Sequence, residues 1–254
     1  YGPAGLRTDA ISPVYGLAET TLLASYTPRG KVRKTLEFDT SIYEHERRIA
    51  LRTEGPRTKM MSCGRAIPGH GLEIHDAEGN KLPDGQVGSI MFFGPSRTRG
   101  YFGRDEVVPD MLDTGDLGFI LDDELYVCGR SKDLIILNGR NLYPQDIEWE
   151  LEQLPGVRRG SAVAFSVPGE ASEQLVVLVE AATIQAEEIA QEAKRCLLKQ
   201  LGVVPRACQV VTRGSIPKTS SGKLQRSKAR ELWLGGAYGD VNATSVRLAT
   251  PPST

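Results

Sequence analysis

The sequence predicts a mixed α/β protein in two parts: the end of an α/β sheet domain carrying a small β-subdomain, followed by a compact α+β C-terminal domain. Three observations carry this. Between residues 64 and 131, short apolar runs alternate with turn residues, the pattern of antiparallel strands. After Lys132, strand-like runs alternate with helix-like ones. Before the β-rich stretch, residues 29–63 break both patterns.

Taken in order, Ala10-Ile11-Ser12-Pro13-Val14 reads as the end of a buried strand running into a turn at Tyr15-Gly16, the type of strand end where α/β sheets place ligands. Residues 29–63 hold nine Lys/Arg against five Asp/Glu and contain Gly55-Pro56, so they read as an inserted excursion outside the core. The runs 71–75 and 86–93 flank a turn-rich stretch, and 117–121 pairs with 124–128 across Asp122-Asp123. Residues 134–137 form a strand. Pro144 opens a helix reaching about Leu154, its Asp146, Glu148 and Glu150 suiting the positive N-terminal end. Strands follow at 161–167 and 174–181. Residues 187–201 form an amphipathic helix with Ile189, Ala193, Cys196, Leu197 and Leu201 on one face and Gly202 as its stop. A strand at 208–211 leads into a lysine-bearing loop, and a short helix closes near Leu232. The predicted divisions are 1–131, with an insertion at about 29–63 and a β-subdomain at about 64–131, then 132–234. Residues 235–254, rich in small residues and ending in prolines, read as a linker or disordered tail.

The 254 residues suffice for one large or two modest domains, and the 40% hydrophobic and 25% charged shares are those of an ordinary soluble globular protein. A net charge of −1 gives no general field toward nucleic acid or anionic membrane, so anion binding must be local. Cys63, Cys128, Cys196 and Cys208 form no Cys-x-x-Cys pair, which argues against a zinc ribbon, gives no disulfide framework and suits a reducing cytoplasm. His45, His70 and His75 lack metal-ligand spacing and read as surface or loop residues. No apolar run is long enough to span a bilayer. Tyr1 reads as a start in mid-sequence.

The chemistry concentrates in Ile216-Pro217-Lys218-Thr219-Ser220-Ser221-Gly222-Lys223. Pro217 fixes the entry dihedral and Gly222 opens backbone conformations closed to other residues, so Lys223 projects from a shaped loop. It is not a phosphate loop of the Walker type, which wants glycine at position 217 and a hydroxyl residue at 224. Alone, such a loop reads as a solvated surface turn. Upstream stand Tyr15-Gly16-Leu17-Ala18-Glu19-Thr20, Thr114-Gly115-Asp116, Gly129-Arg130-Ser131-Lys132-Asp133, and Asn138-Gly139-Arg140-Asn141-Leu142-Tyr143-Pro144-Gln145-Asp146-Ile147-Glu148. In this order, with the lysine loop last, they resemble the adenylate-forming superfamily of acyl-CoA synthetases, adenylation domains and luciferases. The resemblance spans roughly residues 1–234 and is strongest to the C-terminal portion of fatty-acyl-AMP ligases.

That resemblance implies roles residue by residue. Lys223 would be the catalytic lysine that contacts the substrate carboxylate and the α-phosphate of ATP. Asp116 would accept hydrogen bonds from the ribose hydroxyls, since a carboxylate offers two acceptors to two donors. Arg130 would also reach the ribose. Tyr15 would lie against adenine, with Gly16 allowing close approach. Glu19 would help hold Mg²⁺, an ion that takes hard oxygen ligands. The commonest pattern has threonine where this chain has Ala18, a departure that favours the fatty-acyl-AMP ligase branch and leaves Thr20 as the substitute hydroxyl. Lys132 would be the hinge, and Gly139 would lie on the face presented during thiol transfer. Without that context Asp116 is a turn aspartate, Arg130 a surface arginine, Tyr15-Gly16 a turn, Lys132 a solvated lysine and Gly139 the glycine of a tight turn.

The implied activity is ATP-dependent activation of a long-chain fatty acid to acyl-adenylate with release of pyrophosphate, then transfer to the phosphopantetheine thiol of an acyl carrier protein. Segment 29–63 would limit domain rotation and disfavour CoA; its alternative is a basic surface loop. A long-chain acyl-CoA synthetase is the competing enzyme reading. A catalytically incomplete binding fragment is the other, because the hydroxyl- and glycine-rich phosphate loop of the family and most of its acyl pocket are not in this sequence.

Overall fold

The computed structural model describes residues 2–51, 54–105, 107–169, 172–181 and 186–239. The chain divides into two compact units, Tyr1–Lys132 and Asp133–Thr254.

In the first unit β1 (Val14–Tyr15) pairs with β2 (Ser25–Tyr26). There follow β3 (Thr35–Asp39), α1 (Thr40–Glu46) and β4 (Arg57–Met61), then β5 (Arg65–Ala66), which pairs with β2. The rest is a four-stranded antiparallel meander of β6 (Gly71–His75), β7 (Gly88–Phe93), β8 (Leu112–Leu121) and β9 (Glu124–Arg130). Asp122 and Asp123 both take positive φ, 52° and 61°, between the paired Leu121 and Glu124. Two left-handed residues give a hairpin turn whose twist matches that of its strands.

Three expectations change here. The run 10–14 is not a buried strand: only Val14 and Tyr15 pair, Ile11 and Val14 are more than half exposed, and Pro13 has no N–H to extend a ladder. Segment 29–63 does contribute to the core. Asp39 caps α1 by accepting the Ile42 N–H at 3.0 Å, Phe38 is fully buried, and its ring meets Tyr43 at 5.1 Å and Phe119 of β8 at 5.9 Å, both edge-on. The segment is pinned to β9 as well, where the buried Glu124 accepts the Ser62 hydroxyl at 2.6 Å and lies 3.3 Å from Lys34. Its apolar residues are few and widely spaced, so neither a helical nor a strand period emerges. His75 also departs from the surface reading: it lies on β6, half-buried, 2.9 Å from Glu73.

The second unit opens with the hairpin β10 (Ile135–Leu137) and β11 (Arg140–Leu142), turned by Asn138 and Gly139 at φ 51° and 78°. Pro144 is the first residue of α2 (Pro144–Leu151). β12 (Ala162–Pro168) pairs antiparallel with β13 (Glu173–Glu180), and α3 (Ala186–Leu201) precedes β14 (Ala207–Val211), which lies parallel to β13. α4 (Arg226–Leu234) closes the unit. Alternate residues divide two cores: Ala162, Ala164, Leu175, Val177 and Val179 pack with α2 and α3, while Val163, Phe165, Val176 and Leu178 pack with Ala229 and Trp233 of α4. A sheet covered on both faces explains why β13 reads as an unbroken apolar run.

The tail reading is corrected in its first residues. Tyr238 is 5% exposed and its hydroxyl donates to Ser215 O at 3.1 Å, so the chain after α4 is packed; the remainder, from 240, lies outside the described residues. No helix among the described residues is long and apolar enough to cross a membrane.

Candidate active site

In the first unit the structure brings Tyr15, Asp116 and Arg130 together. Asp116 and Arg130 are direct partners across β8 and β9, just beyond a register shift at Leu117/Gly118. A bulge of this kind bends a strand and re-aims the side chains beside it. The Asp116 Oδ1 lies 3.4 Å from Arg130 Nε, and Oδ2 accepts the Tyr15 hydroxyl at 2.7 Å. The Asp116 N–H in turn donates to Thr114 Oγ1 at 3.2 Å, and Thr114 donates to Ile90 O at 2.8 Å. Burial pushes the Tyr15 phenol well above its usual value; a hydrogen bond to Thr114 opposes this and one to Asp116 adds to it. Tyr15 is therefore a neutral donor throughout the physiological range. The Asp116 side chain is 14% exposed and that of Arg130 59%, so the carboxylate is largely sheltered while the guanidinium beside it stays in solvent. Each carboxylate oxygen retains a lone pair for a further donor.

Gly16 is required by packing in its own turn, because a Cβ there would fall 1.9 Å from Leu22 O. Next to it, Ala18–Thr20 form a 3₁₀ turn that fixes Glu19. The Glu19 backbone carbonyl accepts the Thr98 N–H at 2.7 Å, and its Oε1 accepts the Tyr101 hydroxyl at 3.2 Å. Tyr101 was invisible as a partner in the sequence, being 82 residues away. Thr20 does not offer a substitute hydroxyl: it is 1% exposed, and its Oγ1 donates to Leu17 O at 3.0 Å while accepting the Leu17 N–H at 3.4 Å. Capping its own turn consumes that group. Among the described residues there is no cluster of three or more potential metal-ligating side chains. A lone carboxylate such as Glu19 nonetheless suits Mg²⁺, which is commonly held by one or two carboxylates together with substrate phosphates.

In the second unit Lys223 is exposed on a closed loop and, among the described residues, makes no ion pair. The loop closes on itself: Lys218 bridges Leu224, the Thr219 N–H donates to Lys223 O at 2.8 Å, and the Lys223 N–H donates to Thr219 Oγ1 at 3.0 Å. Gly222 takes φ 82°, as such a turn requires. The stem is held by a residue the sequence reading passed over. Glu180, 5% exposed at the end of β13, accepts the backbone N–H groups of Gly214 at 3.0 Å and Ile216 at 2.9 Å, and lies 3.9 Å from Lys218 Nζ. Its available signal was a carboxylate closing the apolar run 175–179.

Lys132 is exposed in the 3₁₀ turn Ser131–Asp133 and is the last residue of the first unit. Asp133 accepts from Arg226 Nη1 at 3.0 Å, and Glu148 takes the same guanidinium in a two-point grip at 2.8 and 2.7 Å. Gly139 occupies the β10–β11 turn with open space where a Cβ would stand.

A family profile described as AMP-binding enzyme matches residues 4–102. The chain is 40% identical to a protein of Caulobacter vibrioides provisionally named an acyl-CoA synthetase, over 94% of this chain and 44% of that protein. It is 32% identical to the long-chain-fatty-acid–AMP ligase FadD32 of Mycobacterium marinum, over 93% of this chain and 46% of that protein. It is 35% identical to the medium-chain-fatty-acid–[acyl-carrier-protein] ligase JamA of Moorena producens, over 93% of this chain and 44% of that protein. A solved structure from work on the fatty acyl-adenylate ligases of E. coli and L. pneumophila superposes with a TM-score of 0.85 at 33% identity, covering 91% of this chain and 43% of that one. The chain thus spans somewhat under half the length of the curated relatives it matches.

Proposed function

We infer function from one premise: the chain belongs to the AMP-binding enzyme family and carries a portion of an adenylate-forming ligase. The intact protein, we propose, activates a long-chain fatty acid with ATP and passes the acyl group to an acyl carrier protein. In the first step a fatty-acid carboxylate oxygen attacks the α-phosphorus of ATP, the new C(O)O–P bond forms, and the bond to the leaving pyrophosphate breaks. In the second, the phosphopantetheine thiol attacks the acyl carbonyl and AMP leaves.

Negative charge accumulates on phosphoryl oxygens in the first step, so fixed cations are what the reaction needs. Lys223 supplies one from a loop already closed. Asp116, held by Tyr15 and Arg130, accepts the ribose hydroxyls, and Arg130 covers the same sugar. Glu19, oriented by Tyr101, would hold Mg²⁺, which when bound supplies charge neutralisation on the phosphates. Tyr15 then serves adenine by its ring face and Asp116 by its hydroxyl. Lys132 serves as the pivot between the two steps.

The observation that carries this reading is the Asp116 carboxylate, engaged at both oxygens by residues 101 positions upstream and one strand across. The relatives' names support the fatty-acid substrate, and the name of JamA supports a carrier protein as acceptor. The name of the Caulobacter relative favours a second reading, an acyl-CoA synthetase. Four free thiols suit a reducing cytoplasm. Palmitate-dependent exchange of labelled pyrophosphate into ATP by the full-length protein tests the first step; no exchange with any medium- or long-chain fatty acid would refute it. Thioester formation on holo-acyl carrier protein and not on CoA tests the second. Run beside it, the 254-residue chain alone is expected to bind nucleotide weakly and show no exchange.

A further inference from the structure

We propose that Glu180 is a positioning residue for adenylate formation, acting through Lys223. The inference rests on the reading above and adds to it the group that fixes the direction in which the loop leaves the sheet.

β14 ends at Val211, which pairs with Glu180 of β13. Without a hold, the chain beyond Val211 could leave the sheet in many directions. Glu180 reaches past the strand end and takes two N–H groups on one oxygen, those of Gly214 and Ile216, three and five residues beyond Val211. The Tyr238 hydroxyl donates to the intervening carbonyl of Ser215, and the Thr212 and Ser215 hydroxyls lie 2.8 Å apart. Ile216, 3% exposed, is thereby sunk into the α4-side core. From that fixed point Pro217 O accepts the Gln225 N–H at 2.9 Å and the 218–224 bridge closes the loop, so the Lys223 backbone inherits its place from the Glu180 carboxylate.

The choice of residue is informative. A buried carboxylate is costly unless its charge is well solvated by hydrogen bonds, and an apolar side chain would fit this run of the strand more cheaply. Two N–H groups and Lys218 at 3.9 Å compensate Glu180. What the fold gains is one side-chain acceptor that holds residues 212–216 in the path toward the loop. A displacement of a reacting charge by about 1 Å can slow a reaction on the order of 100-fold.

The test is single-turnover formation of palmitoyl-adenylate by the full-length protein at saturating ATP. Glu180→Asp keeps the charge but is one methylene too short to reach both N–H groups, and it should slow the step on the order of 10- to 100-fold with KM for ATP unchanged within about 3-fold. Glu180→Gln keeps the reach and one acceptor oxygen, and should restore the rate to within about 3-fold of the parent. In a Lys223→Ala background, Glu180→Asp should add no further loss, because the group it positions is gone. Wild-type rates for Glu180→Asp would overturn the proposal, as would an equal slowing in the Lys223→Ala background. Full activity of Lys223→Ala by itself would instead refute the role assigned to the lysine. If Glu180→Asp does not fold, Glu180→Met takes its place: it fills the same space but offers the Gly214 and Ile216 N–H groups no carboxylate acceptor, and it should slow the step on the order of 10- to 100-fold; parental rates there would overturn the proposal.

Discussion

Asp116 and Arg130 face one another across β8 and β9, with the guanidinium Nε 3.4 Å from one carboxylate oxygen while Tyr15 donates to the other at 2.7 Å. A carboxylate engaged at both ends cannot rotate freely about its last bond. That makes it suitable for meeting two hydroxyls of a sugar in one fixed geometry.

Tyr15→Phe removes the donor and leaves the ring packed against the buried apolar cluster of Ala24, Phe92, Val108 and Leu112. Loss of a hydrogen bond to an ionised acceptor should lower stability by about 1.5–3 kcal/mol in urea unfolding. In the full-length protein, KM for ATP should rise while kcat changes less.

Arg226→Ala should be among the most damaging single changes in the second unit. It strands Glu148, which is 5% exposed and whose Oε1 also accepts the Ala164 N–H at 3.1 Å. Burial disfavours the guanidinium charge, but the bonds to Glu148 and Asp133 outweigh it and raise the Arg226 pKa. Breaking such a pair from one side costs about 3–5 kcal/mol, read as a lower urea midpoint. Arg226→Lys should recover only part, because an ammonium cannot reproduce the two-point grip.

Much of this architecture was legible because local chemistry and tertiary structure agree. Asp122-Asp123 turn the β8–β9 hairpin, Pro144 starts α2, and the 3.6-residue period of α3 matches its buried residues Ile189, Ala193 and Leu197. The failures lie where partners are remote. Ile11 and Val14 look like strand by residue type, yet both are exposed, Pro13 stands between them, and only Val14 and Tyr15 find a partner. Phe38 and Tyr43 sit in a basic, aperiodic segment whose role emerges only when Phe119 of β8 is seen against Phe38. Of the site residues, Tyr15 and Asp116 were named separately and their contact was not. Tyr101 and Glu180 went unnamed, since a hydroxyl reaching Glu19 and a carboxylate gathering N–H groups leave no periodic trace.

Glu73→Gln should change the acid limb of the stability curve. Hydrogen bonds from His75 and then Lys81 hold the Glu73 carboxyl below its usual range in the folded protein. The folded state therefore binds fewer protons than the unfolded state over that interval, so this contribution is complete above the unfolded value of about 4.3 and disappears as pH falls through the depressed folded value. Glu73→Gln should be less stable than the parent at pH 7 by under about 1 kcal/mol, because the cluster is solvent-screened. The two should converge only as pH falls below the depressed folded value, as followed by thermal melting across pH.

The most direct measurement is palmitate-dependent ATP–pyrophosphate exchange by full-length Lys223→Ala. A lone preorganised cation at the reacting phosphate predicts a fall on the order of 10²- to 10³-fold with an unchanged melting temperature, since Lys223 makes no ion pair among the described residues. Exchange at the parental rate would contradict the account.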